Sequence, residues 1–371
     1  MSTNTEKKAA FEWKNYTSLI GLVGLIILSI ILSKNFLMPI NIMNVLKQVA
    51  VPAILAIGMT FVIISGGIDL SVGSFVALSG VLFAMLGLKI GYIPSAIVMV
   101  AGGCLVGFIY GLLITKLNVP PFIATLAGQT MAKGAALVIT HSSAVAIPNA
   151  SVNSFGSGNM PTIPVLVILV VGFAYFAYSS LKTEKQHFGK IGTGTLVKIL
   201  VFAVVIAYLA YLMFKTNGLS FIVIISVLLV VFFTIVLNRS IFGRNVYAIG
   251  GNVSSARLAG VNVTKNLIAI YVMCSGLACF GGVLTAARLG AGTPQVGTNW
   301  ELDAIAAVII GGTSFAGGVG KLTGTVVGVL LMGVLNNLLS LMNVPADAQM
   351  IFKGLIILAA VVVDATTSKK N

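Results

Sequence analysis

Long apolar stretches recur along the whole sequence, and short polar or glycine-rich segments separate them. Each stretch has the length of a helix that crosses the hydrocarbon core of a bilayer, which is about 30 Å thick. The sequence therefore predicts an all-α, polytopic transmembrane helical bundle, because helices satisfy their own backbone hydrogen bonds in lipid. The predicted spans are 17–33, 45–65, 70–88, 93–115, 121–140, 162–181, 197–214, 219–237, 266–287, 301–318, 321–342 and 348–366.

The charge content supports the same class of protein. Hydrophobic residues make up 58% of the chain and charged residues only 8%, whereas soluble domains carry about 25% charged residues. A soluble domain of this size could not cover its surface with so few charges. The net charge of +14 is not gathered in a basic run on a soluble domain, so it does not indicate nucleic-acid binding.

The distribution of Lys and Arg predicts an orientation in the membrane. If the N-terminus is cytoplasmic and each span crosses once, 15 of the 22 basic residues lie on the cytoplasmic side. This bias is the one that the positive-inside rule describes. It favours about twelve crossings with both termini in the cytoplasm. We therefore expect a cytoplasmic segment at 1–16, a membrane domain at 17–366 and a cytoplasmic tail at 367–371.

Two glycine-rich segments, 65–73 and 310–320, each join a predicted inward-running span to an outward-running one. Their similarity suggests a weak internal repeat of the kind that transporters contain. Asp69 lies in the first segment. It is expected either to cap the helix that begins at Leu70 from a cytoplasmic turn, or to be a polar group at the inner end of a translocation path.

Glu301 and Asp303 open the apolar stretch of the predicted span 301–318, on its outer side. Two interpretations are open for them. Carboxylates stabilise the first turn of a helix, and they also serve functional sites inside membranes. Arg288 and Lys353, which are also predicted near the outer side, are their candidate partners.

The sequence contains no set of residues that suits catalysis. The nearest match to a P-loop ends in Gly320-Lys321, but Leu322 follows where Ser or Thr is required. The two histidines, His141 and His187, stand apart from any pattern of metal ligands. We therefore expect no enzyme activity, no bound metal and no cofactor.

Residues 238–265 form a long predicted cytoplasmic connection between two spans; we call this segment the elbow. Residues 250–252 predict a turn, Ser254 or Ser255 can cap a short helix that follows, and Gly260 can end it. A short helix with one apolar and one basic side suits either a partner surface or a position at the lipid interface.

Six stretches of the sequence together resemble the membrane permease subunits of bacterial ABC importers for monosaccharides, of the ribose, xylose and galactose/methyl-galactoside type. Their combination is specific for this family, but it does not choose the sugar. The stretches are GGIDLSVGS (66–74), LNVPPFIATLAG (117–128), FGRNVYAIGGN (242–252), ARLAGVNV (256–263), ELDAIAAVIIGGTSFAGGVG (301–320) and MIFKGLIILAAVVVD (350–364).

The resemblance implies a permease in the cytoplasmic membrane of a bacterium, where the lipid bilayer surrounds it. The implied partners are a second permease copy, ATP-binding subunits on the cytoplasmic face and an extracytoplasmic sugar-binding protein. ATP hydrolysis on those subunits would drive alternating access. The ATP-binding subunits would dock at Gly251, Asn252, Ala256, Arg257 and Gly260.

Two further expectations concern the span count and the mechanism. Members of the family have about ten spans, so the resemblance implies a ten-span permease core plus an inserted pair of spans, with the insertion at about 181–214. The rival hypothesis is a self-sufficient secondary transporter or channel for a small polar solute. That class would need paired carboxylates inside the membrane.

An uncharged sugar favours a path lined by small and hydroxyl-bearing side chains. For each hydroxyl group, the alternative is a hydrogen bond to the backbone of its own helix. The candidates for the substrate path are Gln48, Thr60, Ser65, Asp69, Thr125, Gln129, Glu301, Asp303 and Thr313.

Overall fold

The computed structural model describes residues 17–188 and 192–368. The predicted segment 1–16, residues 189–191 of the predicted insertion and residues 369–371 of the predicted tail lie outside the described residues. The helices of the described chain are α1 (Thr17–Leu32), α2 (Pro39–Ile64), α3 (Val72–Ile90), α4 (Tyr92–Lys116), α5 (Pro121–Thr140), α6 (Ala150–Ser157), α7 (Thr162–Phe188), α8 (Thr193–Lys215), α9 (Phe221–Arg239), α10 (Ile241–Gly251), α11 (Val253–Leu258), α12 (Val263–Leu289), α13 (Trp300–Ile310), α14 (Leu322–Leu341) and α15 (Ala346–Ser368).

Short strands form two antiparallel ribbons at one end of the bundle. Strand β1 pairs with β4, and β2 pairs with β3. We call this end the sheet end, and we call the end that carries α10 and α11 the elbow end. The strands are β1 (Val145–Ala146), β2 (Asn159–Met160), β3 (Leu219–Ser220) and β4 (Ala291–Gly292).

The helices confirm the predicted class of fold. Within the described residues, nine helices are long and apolar enough to cross a membrane. Each predicted span overlaps one helix of the bundle. The chain is therefore a multi-pass helical membrane protein.

The predicted span 301–318 is wrong in length. Helix α13 contains only 11 residues, which is about 16 Å of helix and roughly half of the hydrocarbon core. The helix ends because Gly312 adopts a φ of +88°, a conformation that terminates helices. Residues 311–321 then continue without helical structure to the start of α14.

Helix α12 lies at the centre of the bundle and packs against α2, α3 and α4. Its contact with α4 depends on Gly103, Gly107 and Gly111, which are four residues apart on one face of α4. A Cβ atom at Gly103 would lie 2.7 Å from the carbonyl oxygen of Ser275, and one at Gly111 would lie 2.6 Å from Cα of Ile268. Such spacing of small residues lets two helix backbones approach closely in a membrane.

Helices α7 and α8 form a hairpin at the edge of the bundle. The two helices contact each other through Phe173, Phe176 and Phe202. Met213, near the end of α8, packs in a buried cluster with Met43 of α2. A peripheral position suits an inserted pair of spans, and the insertion at about 181–214 stays a prediction.

Candidate functional site

The ends of α2 and α13 have the same backbone geometry. After α2, Gly66 has a φ of +84°, and the amides of Gly66 and Gly67 each donate a bond of 2.9 Å to the last turn. After α13, Gly312 has a φ of +88°, and the amides of Gly312 and Thr313 donate bonds of 2.8 and 3.2 Å. Both ends are Schellman motifs. The internal repeat that the sequence suggested is therefore limited to the backbone conformation at the ends of these two helices.

The end of α2 and the segment that follows α13 both meet the elbow. The amide of Gly318 donates to the carbonyl oxygen of Ile64 at 2.8 Å. This bond joins the segment that follows α13 to the last residue of α2. Gly250 of α10 lies directly against Ile64 and Gly318, so that a Cβ atom there would collide with both backbones. The hydroxyl group of Tyr247 donates to the carbonyl oxygen of Gly320 at 2.8 Å. A movement of α10 would therefore be transmitted both to the end of α2 and to the segment that joins α13 to α14.

The elbow consists of two short helices and a glycine turn, which differs in detail from the prediction. Residues 250 and 251 end α10 and do not form a separate turn. The cap of α11 is Asn252, whose side-chain oxygen accepts a bond of 2.8 Å from the amide of Ser255. The prediction of Ser254 or Ser255 as the cap is wrong, because the helix already begins at Val253.

Four of the five residues implied for docking lie on the elbow surface. Gly251, Asn252, Arg257 and Gly260 are exposed. Ala256 is buried, in a small cluster below α11. Ala256 therefore holds α11 on the bundle, and its neighbours form the surface.

Asn252→Ala is expected to loosen α11 by about 1 kcal/mol, because the helix loses its side-chain cap. Asn252→Asp is the matched control, since its carboxylate can accept the same bond from Ser255. Hydrogen–deuterium exchange of the amides in α11 measures the effect. Equal exchange in Asn252→Ala and the wild type would contradict the role of the cap.

Asp69 does not lie in a turn at the elbow end. Its side chain is fully buried and lies near the thiol of Cys274. Cys274 is eleven residues into α12, about 16 Å along the helix axis. The expected cytoplasmic turn is wrong because residues 65–71 return into the bundle before α3 begins at Val72.

The Asp69 carboxylate nevertheless holds the start of α3. Its Oδ1 atom accepts from the amide of Ser71 at 2.9 Å and from the hydroxyl group of Ser71 at 2.6 Å. The Oδ2 atom has no hydrogen-bond partner among the described residues. Ser71 and not Asp69 is the N-cap residue of α3, so the expected cap of a helix beginning at Leu70 is wrong, and Asp69 instead fixes the residue at the cap position.

A second meeting of α3 and α13 lies inside the bundle. Gly73, in the first turn of α3, faces the carbonyl oxygen of Gly297 and the carboxylate of Glu301. Gln129 of α5 donates from Nε2 to Oε1 of Glu301 at 2.9 Å. The side chain of Glu301 is buried. Glu301 therefore joins α3, α5 and α13 at the first turn of a half-length helix.

Asp303 and Lys353 form an ion pair between α13 and α15. The Nζ atom of Lys353 lies 2.8 Å from Oδ2 of Asp303. The predicted partner Lys353 is confirmed. The other candidate, Arg288, donates instead to the carbonyl oxygen of Lys47 at 2.9 Å.

Lys353→Met and Asp303→Asn are each expected to destabilise the protein, by about 2 kcal/mol, because each leaves one charge of a partly buried pair without its partner. The double variant removes both charges and is expected to be more stable than either single variant. Thermal unfolding of the detergent-solubilised protein tests this order. A double variant that is as unstable as the sum of the singles would contradict the pairing.

A cleft of about 550 Å³ opens beside Glu301, between α3, α5 and the chain that enters α13; we call it the polar cleft. Lys133 donates from Nζ to the carbonyl oxygen of Pro294 at 2.8 Å and to the hydroxyl group of Thr298 at 3.0 Å. Gln129 is eight residues into α5, about 12 Å along it. Polar side chains on the cleft wall are Ser74, Gln129, Thr130, Lys133, Thr298, Asn299 and Glu301.

Of the nine predicted path residues, Gln129 and Glu301 line the polar cleft. The hydroxyl groups of Thr60, Ser65 and Thr125 donate to their own helix at 2.6, 2.8 and 2.9 Å, as the alternative interpretation expected. Thr125 also accepts a bond of 3.1 Å from the amide of Leu70.

The four other candidates lie elsewhere, and one of them, Asp69, is buried before the start of α3. Gln48 and Asp303 line a separate cavity of about 50 Å³. Thr313 is buried beside Gly320. Sequence reasoning missed Lys133, although a lysine inside an apolar span is itself a signal of a functional site.

A helical bundle that interrupts its membrane helices and opens a polar cleft at half depth has the architecture of a membrane transport protein. Comparison with family models agrees. Residues 41–361 match the family described as the permease component of branched-chain amino acid transport systems. The match covers most of the chain, so the chain belongs to this permease family.

Two curated relatives illustrate the similarity. The chain is 37% identical over 337 residues to the "Xylose transport system permease protein XylH" of Haemophilus influenzae, with 89% of the chain and 90% of the relative covered. It is 36% identical over 354 residues to the "Ribose import permease protein RbsC" of Bacillus subtilis, with 94% and 92% covered. No solved structure matches the chain.

Proposed function

We propose that this chain is the permease subunit of an ABC-type importer, which moves a monosaccharide of the xylose, ribose or galactose class across the cytoplasmic membrane. The observation that carries the proposal is the similarity to xylose and ribose permeases along about nine-tenths of the chain. The residues that line the polar cleft suit a polar, uncharged solute better than an ion.

The elbow is the proposed docking surface for a separate ATP-binding subunit. Leu258 has 91% of its surface exposed, and the exposed Arg257 lies beside it. An apolar side chain next to a positive charge suits a protein partner. The basic residues Arg239, Arg244 and Lys265 of the elbow support a cytoplasmic location for this end. The extracytoplasmic sugar-binding protein would then meet the sheet end.

A second permease copy is proposed to cover the polar cleft. Thr130 and Thr298 of the cleft are exposed on the surface of the single chain, at about half the depth of the membrane. Polar side chains at that depth face protein or water rather than lipid. Two copies that face each other through this side would enclose a path between them.

We propose that α13 transmits a displacement of the elbow to the polar cleft during alternating access. The segment that follows α13 contacts Gly250 through Gly317 and Gly318, and the first turn of α13 carries Glu301 into the polar cleft. A push on the elbow by the ATP-binding subunit would therefore shift Glu301 relative to Gln129. This geometry links an external energy source to the cleft without a chemical step in this chain.

Reconstitution tests the proposal. The tagged chain is purified from membranes of its source cells with the subunits that accompany it, and the complex is placed in liposomes. Uptake of labelled D-xylose, D-ribose and D-galactose is measured with and without ATP. ATP-dependent uptake of at least one sugar is expected. Uptake that continues without any ATP-binding subunit would contradict the proposal and favour a self-sufficient transporter.

A further inference from the structure

We infer that the polar cleft is a binding station for an uncharged, polyhydroxylated ligand of monosaccharide size, in which Glu301 accepts and Lys133 donates hydrogen bonds to ligand hydroxyl groups. The inference rests on the proposed function and identifies the polar cleft as the place where the transported sugar binds within this chain. It adds Lys133, Thr130, Thr298 and Asn299 to the two predicted path residues that line the cleft.

The size and lining of the cleft fit this ligand class. Its volume of about 550 Å³ lies in the range of small-molecule sites, which is about 300–1,000 Å³. Among the described residues on its wall, Leu126 is the one large apolar side chain. A branched aliphatic side chain would meet Leu126 as its one large apolar contact among the described lining residues, so the lining suits a branched-chain amino acid less well than a sugar.

The hydrogen-bonding groups of the cleft complement hydroxyl groups, which both donate and accept. A lysine ammonium group has three N–H donors, and Lys133 uses two of them on Pro294 and Thr298. The third can serve a ligand. Gln129 uses Nε2 on Glu301, and its carbonyl oxygen can accept a bond from a ligand. The cleft thus offers both donors and acceptors that are already held in position.

The charges of the cleft select against ionic ligands. Lys133 and Glu301 are the charged side chains on the described wall, and their formal charges cancel. A ligand with a net charge would find no matching net charge on the wall, which is unfavourable once the proposed second copy covers the cleft and excludes water. A neutral sugar is therefore expected to bind in preference to a sugar phosphate or a sugar acid.

Thiol protection tests the inference on the full-length chain in nanodiscs, with the subunits that accompany it. Thr130→Cys and Thr298→Cys report on the cleft, each in a chain whose half-buried Cys104 is replaced by Ala. Ser143→Cys, an exposed position at the sheet end, is the control. D-Xylose and D-ribose are expected to slow maleimide labelling at the two cleft positions about tenfold when present at about ten times the dissociation constant. L-Leucine and D-ribose 5-phosphate are expected to have no effect.

Charge variants separate binding from a purely structural role. Glu301→Gln leaves Lys133 as the charged side chain of the cleft, so D-ribose 5-phosphate is expected to protect the T130C thiol in this background. Lys133→Met is expected to abolish protection by both neutral sugars. If the neutral sugars protect neither cleft position while the wild-type complex takes up sugar with ATP, this inference is wrong and the proposed function stands. If the complex takes up no sugar but protection occurs, the site stands and the proposed function is wrong.

Discussion

Gly250→Ala is expected to reduce uptake by about tenfold or more and to lower the thermal stability of the protein, whereas Gly251→Ala, one residue further along, is expected to leave the thermal stability unchanged. A methyl group at Gly250 would collide with the carbonyl group of Ile64 and the amide of Gly318. Overpacking of this kind introduces about 1–3 kcal/mol of strain, and about 1.4 kcal/mol corresponds to a factor of ten in an equilibrium. The strain would separate the elbow from the end of α2 and the segment that follows α13.

Gly251 is a close control because no atom lies within 4 Å of the position that its Cβ would occupy. Both glycines are in the last turn of α10, so their effects on helix propensity are similar. Thermal unfolding in detergent and the amount of inserted protein are measured for both variants, and uptake of the labelled sugar is measured for Gly250→Ala. Equal stability of the two variants would show that the methyl group at Gly250 meets no close contact, and wild-type uptake by Gly250→Ala would show that this contact has no part in transport.

Gly107→Ala is expected to destabilise the bundle by about 1–3 kcal/mol, because the added methyl group would overlap the backbone of Tyr271 and lie 2.6 Å from Cα of Val272. Alanine has a higher helix propensity than glycine, by about 1 kcal/mol. The substitution would therefore stabilise α4 if the site had room. A fall in thermal stability in detergent would identify the contact with α12 as its cause.

Gly102→Ala provides the comparison for this prediction. It lies on the same helix, and no atom is within 4 Å of its added Cβ. The variant is expected to be as stable as the wild type or slightly more stable. An equal loss of stability in Gly102→Ala and Gly107→Ala would mean that the effect of the added methyl group does not come from the contact with α12.

The fold class was predictable because the length and hydrophobicity of a span are local properties. The predicted span 121–140 coincides with α5, and 321–342 differs from α14 by one residue at each end. The error at 301–318 has a different origin. Hydropathy registers an apolar run but does not register the positive φ of Gly312 that ends the helix after 11 residues.

The site was predictable only in part, because burial and pairing depend on contacts between distant segments. Asp69 looks like a surface turn residue in sequence, yet residues 65–71 fold back beside α12 and bury it. Gln129 and Glu301 are 172 residues apart and meet in the bundle. Lys133 was overlooked because its partners, Pro294 and Thr298, lie in a segment with no regular pattern.

The hydrogen bond between Gly318 and Ile64 has a mechanical consequence for the two halves of the chain. One half contributes α2 and the other contributes the segment that follows α13, and the bond joins them where α10 contacts both. Neither half can be displaced at that point without the other. A displacement of α10 at the elbow end would therefore move both halves of the chain at the same time. A conformation in which only one half had moved would first have to break this hydrogen bond.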